Sequence, residues 1–131
     1  MSRTFTREEA DGLLPHIAPL LWQARELKKK HDECAAQIEA LQAQAKGNGH
    51  GIDVELVRAR GGQQQSAVEI NALIERVKAI GAEVKDLEMG LIDFRHAKDG
   101  RVVYLCWKLG EERVEWWHEL NTGYASRQRL D

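Results

Sequence analysis

A chain of 131 residues and 14.9 kDa has the length of one domain. Its 19 basic and 21 acidic side chains leave a formal charge of −2, which speaks against a polybasic binder of nucleic acid or anionic membrane. Hydrophobic residues at 43% and charged residues at 31% indicate a folded chain, no apolar run nears the roughly 18–20 residues that span a bilayer, and two cysteines outside any CxxC exclude a disulfide framework or four-cysteine zinc site.

The first residues contain no apolar signal-peptide core, so a cytoplasmic location is the expectation. Thr6 and Glu9 have the spacing of a capping box, and Phe5 stands where a staple onto the first turn would sit. A stripe then runs through Leu13, Ile17, Leu20, Ala24, Leu27, His31, Cys34, Ile38, Leu41 and Ala45 in alternating steps of four and three. That is a heptad seam, and it predicts a helix packed along its length against another, roughly 60 Å long. Pro15 and Pro19 each remove an amide donor and predict a kink or restart.

Gly47-Asn48-Gly49-His50-Gly51 reads as the helix stop and turn. It lacks the lysine and the preceding strand of a phosphate-binding loop. A second helix follows, with Ser66 and Glu69 as a capping box and Ile70, Leu73, Val77 and Ile80 on its seam. Residues 53–60 are in phase with it, while Gly61-Gly62 weakens the connection. Gly81 marks the stop. Two helices on a short loop run antiparallel, and a pair this long leaves apolar surface that predicts self-association, a dimer foremost.

Beyond Gly81 the period changes from helical to alternating, and six of the eight aromatic residues lie in residues 91–131. Residues 91–95 read as a strand, 96–100 as a turn, 101–108 as the strongest strand of the chain, and 113–119 as a third. The expected fold is α+β: a long, coiled-coil-like antiparallel helical hairpin over residues 1–81, then a three-stranded antiparallel sheet and tail over 82–131, in a single domain.

Alternation along these strands sorts candidate ligands by face. One register brings Asp93, Cys106 and His118 together, a carboxylate, thiol and imidazole set that suits zinc or iron, with Glu111 and Glu119 in support. His118-Glu119 opens like HExxH, but Thr122 replaces the second histidine. The alternative is a Cys106 buried as a small hydrophobe and a His118 hydrogen-bonded at the sheet edge. A Cys106–His118 nucleophile would need a lowered thiol pKa and a placed base. His31 and Cys34, three apart, offer two ligands at most and read as seam positions. Tyr104, Trp107, Trp116 and Trp117 serve either as core for a small sheet or as a partner-binding surface. Trp116 and Trp117 point to opposite faces, which predicts cover on both: the helices on one, the tail or a neighbouring subunit on the other.

Several of these residues have a familiar arrangement. Phe5-Thr6-Arg7-Glu8-Glu9-Ala10 with Leu13-Leu14-Pro15, then Gly90-Leu91-Ile92-Asp93-Phe94, Val103-Tyr104-Leu105-Cys106-Trp107, Gly110-Glu111 and Trp117-His118-Glu119 resemble the bacterial family catalogued as domain of unknown function 2203. The resemblance implies a small stand-alone prokaryotic protein and brings no activity or site residue with it. Two functions stay open from the residues themselves. One is a self-associating, non-enzymatic module that binds an unidentified protein partner; the other is a metal-binding protein or metal-dependent enzyme.

Overall fold

The computed structural model describes residues 3–48 and 53–131. Two helices, α1 (Arg7–Asn48) and α2 (Val54–Ile80), precede five strands: β1 (Glu83–Asp86), β2 (Leu91–Lys98), β3 (Arg101–Lys108), β4 (Trp116–His118) and β5 (Gln128–Arg129). A 3-10 turn over Tyr124–Ser126 lies between the last two strands.

The Thr6 capping box forms in both directions. Thr6 Oγ1 accepts from the Glu9 amide at 3.0 Å, and Glu9 Oε1 accepts from the Thr6 amide at 2.9 Å. Phe5 is buried, and its ring meets Phe94 of the sheet edge-on at 5.5 Å. It thus fastens the start of α1 to the second layer. The seam from Leu13 to Leu41 is buried or half-buried at every step. Pro15 and Pro19 do not restart the helix, which runs unbroken through both. Of the stop expected at residues 47–51, Gly47 and Asn48 instead continue α1, and residues 49–51 lie outside the described residues.

The second helix departs from the expectation at its start. Its cap is Asp53, whose Oδ1 accepts from the Glu55 amide at 2.8 Å, not Ser66. Ser66 is fully buried inside the helix, and its hydroxyl donates back to the Gly62 carbonyl at 2.8 Å. Gly61-Gly62 does not split the element, because Leu56, Ala59, Ser66, Ile70, Leu73 and Val77 form one inward line across it. Gly62 also lies where bulk is unwelcome: a Cβ there would stand 3.0 Å from Cys34 Sγ. Gly81 ends α2 at φ +135°, and any Cβ on it would collide with the Phe5 ring. These two contacts, Phe5 with Gly81 and Cys34 with Gly62, make the helix pair antiparallel.

The sheet is a meander in the order β1-β2-β3-β4-β5, five strands where three were expected. The two additional strands are short edges of four and two residues. β2 is longer than expected and reaches Lys98, so the turn narrows to Asp99 and Gly100, at φ +50° and +78°. β4 is shorter, covering Trp116–His118 only. Alternation over the expected strand 113–119 would put Val114 on the face of Trp116 and His118, but the residue lies outside the shorter β4. It is fully buried in the helix-side core, with its amide donating to Asp11 Oδ1 at 2.7 Å.

Ile92, Phe94, Val103, Leu105, Trp107 and Trp117 point toward Ile17, Leu21 and Val77 in one apolar layer. The other face of β2–β4 carries Asp93, Tyr104, Cys106, Trp116 and His118. Among the described residues, no helix is long and apolar enough to cross a membrane.

Candidate metal centre

Register decides the site. Asp93 on β2 stands directly opposite Cys106 on β3, and Cys106 in turn opposite Trp116 on β4. His118, two residues on from Trp116, therefore shares their face. The three side chains converge, with their ligand atoms all within 4.8 Å of one another. All three are closed off from solvent: Asp93 and His118 are each 2% exposed and Cys106 is 0%.

The hydrogen bonds around His118 fix its chemistry. Nδ1 lies 2.8 Å from the Glu119 carbonyl oxygen. A carbonyl only accepts, so Nδ1 carries a hydrogen, which leaves Nε2 as the atom turned toward Asp93. Nε2 faces Asp93 Oδ2 at 3.0 Å. An ionised carboxylate is also only an acceptor, so two lone pairs meet there unless one proton lies between them. The second carboxylate oxygen, Asp93 Oδ1, is buried without a partner. Burial pushes the Asp93 pKa above the ordinary carboxylate range, opposed by the attraction of His118. The Tyr104 ring packs on the imidazole at 5.4 Å and holds its plane.

Cys106 is not set up as a nucleophile. Burial first, then the charge of Asp93, pushes its pKa up to about 12, so the metal-free site holds a neutral thiol. Both ring nitrogens of His118 are engaged elsewhere, leaving none to serve the thiol as a base.

The remaining sequence candidates lie outside this group. The Glu111 carboxylate is held by Arg127, at 3.2 and 2.7 Å, and its Oε1 accepts from the Lys108 amide at 2.8 Å. Glu119 pairs with Arg101 through two bonds of 3.1 and 2.6 Å. Among the aromatic candidates, Trp107 and Trp117 are in the helix-side core, and Tyr104 is buried beneath Lys85 and Arg95. Trp116 is half-buried between Arg127 and Arg129. The second face of the sheet is thus covered in part by the chain's own tail. His31 contacts Asp32 and Cys34 lies against Gly62, as seam residues.

Sequence reasoning missed Arg127. Its guanidinium lies between the Trp116 and Tyr124 rings, with one nitrogen 4.0 Å from Cys106 Sγ. Nothing local marked it, because it belongs to a polar tail whose path only the folded chain shows.

The family model described as "Uncharacterized conserved protein (DUF2203)" matches residues 3–130, and the chain belongs to that family. No curated protein and no solved structure matches it.

Proposed function

Starting from membership of a family whose description names no activity, we propose that this protein binds a divalent transition metal through Asp93, Cys106 and His118, zinc foremost and iron second. One observation carries the reading: a histidine whose Nδ1–H is tied to a backbone carbonyl points its Nε2 at a buried carboxylate 3.0 Å away, where a metal ion could replace the shared proton. Backbone anchoring of the other ring nitrogen is how proteins orient a metal-binding imidazole. A cation between Nε2, Oδ2 and the Cys106 sulfur would satisfy facing lone pairs that otherwise need a shared proton. It would also give the orphaned Asp93 Oδ1 a charge to face.

The donor set fits. Zinc accepts nitrogen, oxygen and sulfur together, and a tetrahedral site spaces its ligands by roughly 3.3–3.8 Å. The longer separations, at most 4.8 Å, reach that spacing by contracting about an ångström, while Nε2 and Oδ2, now 3.0 Å apart, part slightly. Three protein ligands leave a fourth position, which the second Asp93 oxygen or a small exogenous group would take. Exposures of 2% or less favour a stabilising site over one open to substrate.

Elemental analysis of protein purified without chelator tests this directly. About one metal per chain is expected, falling below a tenth in Cys106→Ser and His118→Ala. Uptake would displace the proton between Asp93 and His118 and the thiol proton of Cys106. Titration calorimetry in buffers of different ionisation enthalpy would then show about two protons released per metal at neutral pH. Failure of added zinc or cobalt to bind at all would sink the proposal.

A second reading rests on the outer side of α2. Val54, Val57 and Val68 are 69%, 55% and 59% exposed, and their spacing of three and eleven residues puts them on one side of the helix. That stripe supports self-association through the hairpin, or docking of a protein partner there.

A further inference from the structure

The inference that follows rests on the metal-binding reading and concerns how the ion would reach its ligands. On the helix side, the site is backed by the core layer of Ile92, Leu105 and Trp107, which parts only when the protein unfolds. Over Cys106 the cover is different. Arg127 lies there, one nitrogen 4.0 Å from Sγ, held by a two-pronged pair to Glu111 at 3.2 and 2.7 Å. Trp116 and Tyr124 hold its guanidinium between them, at 4.5 and 4.4 Å from the ring centres. The rest of the segment that carries Arg127 is held mainly by surface ties, Lys108 Nζ donating to the Tyr124 hydroxyl at 3.1 Å and Arg129 pairing with Glu115 at 3.1 Å, with Leu130 partly buried against the core. β5 meets β4 through two residue pairs, both β5 residues are exposed, and the Leu130 amide adds one bond to the Glu115 carbonyl at 2.8 Å. Short terminal elements with few buried contacts open at far lower cost than a core.

We infer that the C-terminal segment is the gate of the Asp93–Cys106–His118 site, with the Arg127–Glu111 pair as its latch. Arg127 is a positioning residue here, acting through the segment it fastens. With the latch closed, the thiol is covered and the ligands are inaccessible. Opening residues 123–130 uncovers Cys106 and leaves the sheet register that aligns the three ligands in place.

A gate that opens before the metal passes speeds movement in both directions. A residue that merely supports a ligand would speed release alone and weaken affinity in step. Stopped-flow measurement on the full chain separates the two, with cobalt(II) followed by its absorption on binding and an excess of chelator driving release. Arg127→Ala should raise both rates by about tenfold, the scale of losing one charge-assisted hydrogen-bonded pair, and shift the Kd less than threefold. Glu111→Gln should act in the same direction and carries the test if Arg127→Ala does not fold. Arg127→Lys, which keeps the charge but not the fork, should fall between Arg127→Ala and the native protein. One bound metal with unchanged rates in Arg127→Ala and Glu111→Gln would overturn the gate and leave the metal site standing. Faster release with a matching loss of affinity would also overturn it. Absence of cobalt and zinc binding in the native chain would remove the metal site and the gate together.

Discussion

Asp93 would face opposite demands in the metal-free protein and in the metal-bound form proposed for it. Buried against a lone pair, its carboxylate is unfavourable without a proton; beside a cation, it is an anionic ligand. Because its folded pKa is raised, its contribution to metal-free stability is fully present below the unfolded value of about 4. That contribution is lost as pH rises through the higher folded value. Asp93→Asn, whose amide can donate to Nε2, should therefore stabilise the metal-free protein at neutral pH by about 1–2 kcal/mol. The same change should abolish the rise in melting temperature that the proposed zinc site is expected to give. Thermal melts with zinc and with chelator would show both effects, and a metal-free Asp93→Asn protein less stable than native would contradict the account. The Cys106 thiol, raised from 9.0 to about 12, favours the fold fully below pH 9 and stops doing so as pH climbs toward 12. Metal-free native protein should lose stability relative to Cys106→Ala across that alkaline range, measured by urea denaturation at pH 8 and pH 11. Parallel pH profiles for the two proteins would contradict it. At this scale the sequence was informative: strict alternation nominated Asp93, Cys106 and His118, because side chains on a strand have only two directions to take.

Elements followed their seams wherever the seam was long. The four-and-three spacing of α1 carried it through two prolines, since burial along the whole helix outweighs the loss of two amide donors. The same logic defeated Ser66 as a cap. Ser66 and Glu69 have the spacing of a capping box, but the inward line already begins at Leu56, so Asp53 caps the helix and Ser66 is buried within it. The paired glycines separate two effects that sequence alone merges. Gly61 faces open space, so Gly61→Ala should stabilise the protein by about 0.5–1 kcal/mol through helix propensity. At Gly62 an added Cβ meets Cys34 Sγ at 3.0 Å, so Gly62→Ala should gain less or lose outright. Denaturant midpoints of the two single variants check this, and equal gains would show that the Cys34 contact does not constrain the packing. β1 and β5 escaped the sequence reading because edges of two to four residues are too short for alternation to show.

The whole molecule is two layers with a third, partial cover. Helices bury one face of the sheet, and the C-terminal tail covers part of the other, so the aromatic residues near the C-terminus belong chiefly to the protein's own interior. This redirects the search for an oligomer to the helices. Val54, Val57 and Val68 line the outer side of α2, and Val57→Lys with Val68→Lys should shift any dimer toward monomer in sedimentation velocity at micromolar concentration. A native protein that sediments as a monomer at high micromolar concentration would exclude that side as a self-association face. By itself the sequence determined the α+β order, the antiparallel helix pair and the membership of the three candidate ligands, because heptad spacing and strand alternation are local and repeat. Only the tertiary structure decided that the three ligands converge, because register belongs to strand pairs and a slip of one residue would have turned Cys106 to the other face. It alone decided the path of the tail as well, since Arg127 finds Glu111 sixteen residues away after a 3-10 turn that no periodicity announces.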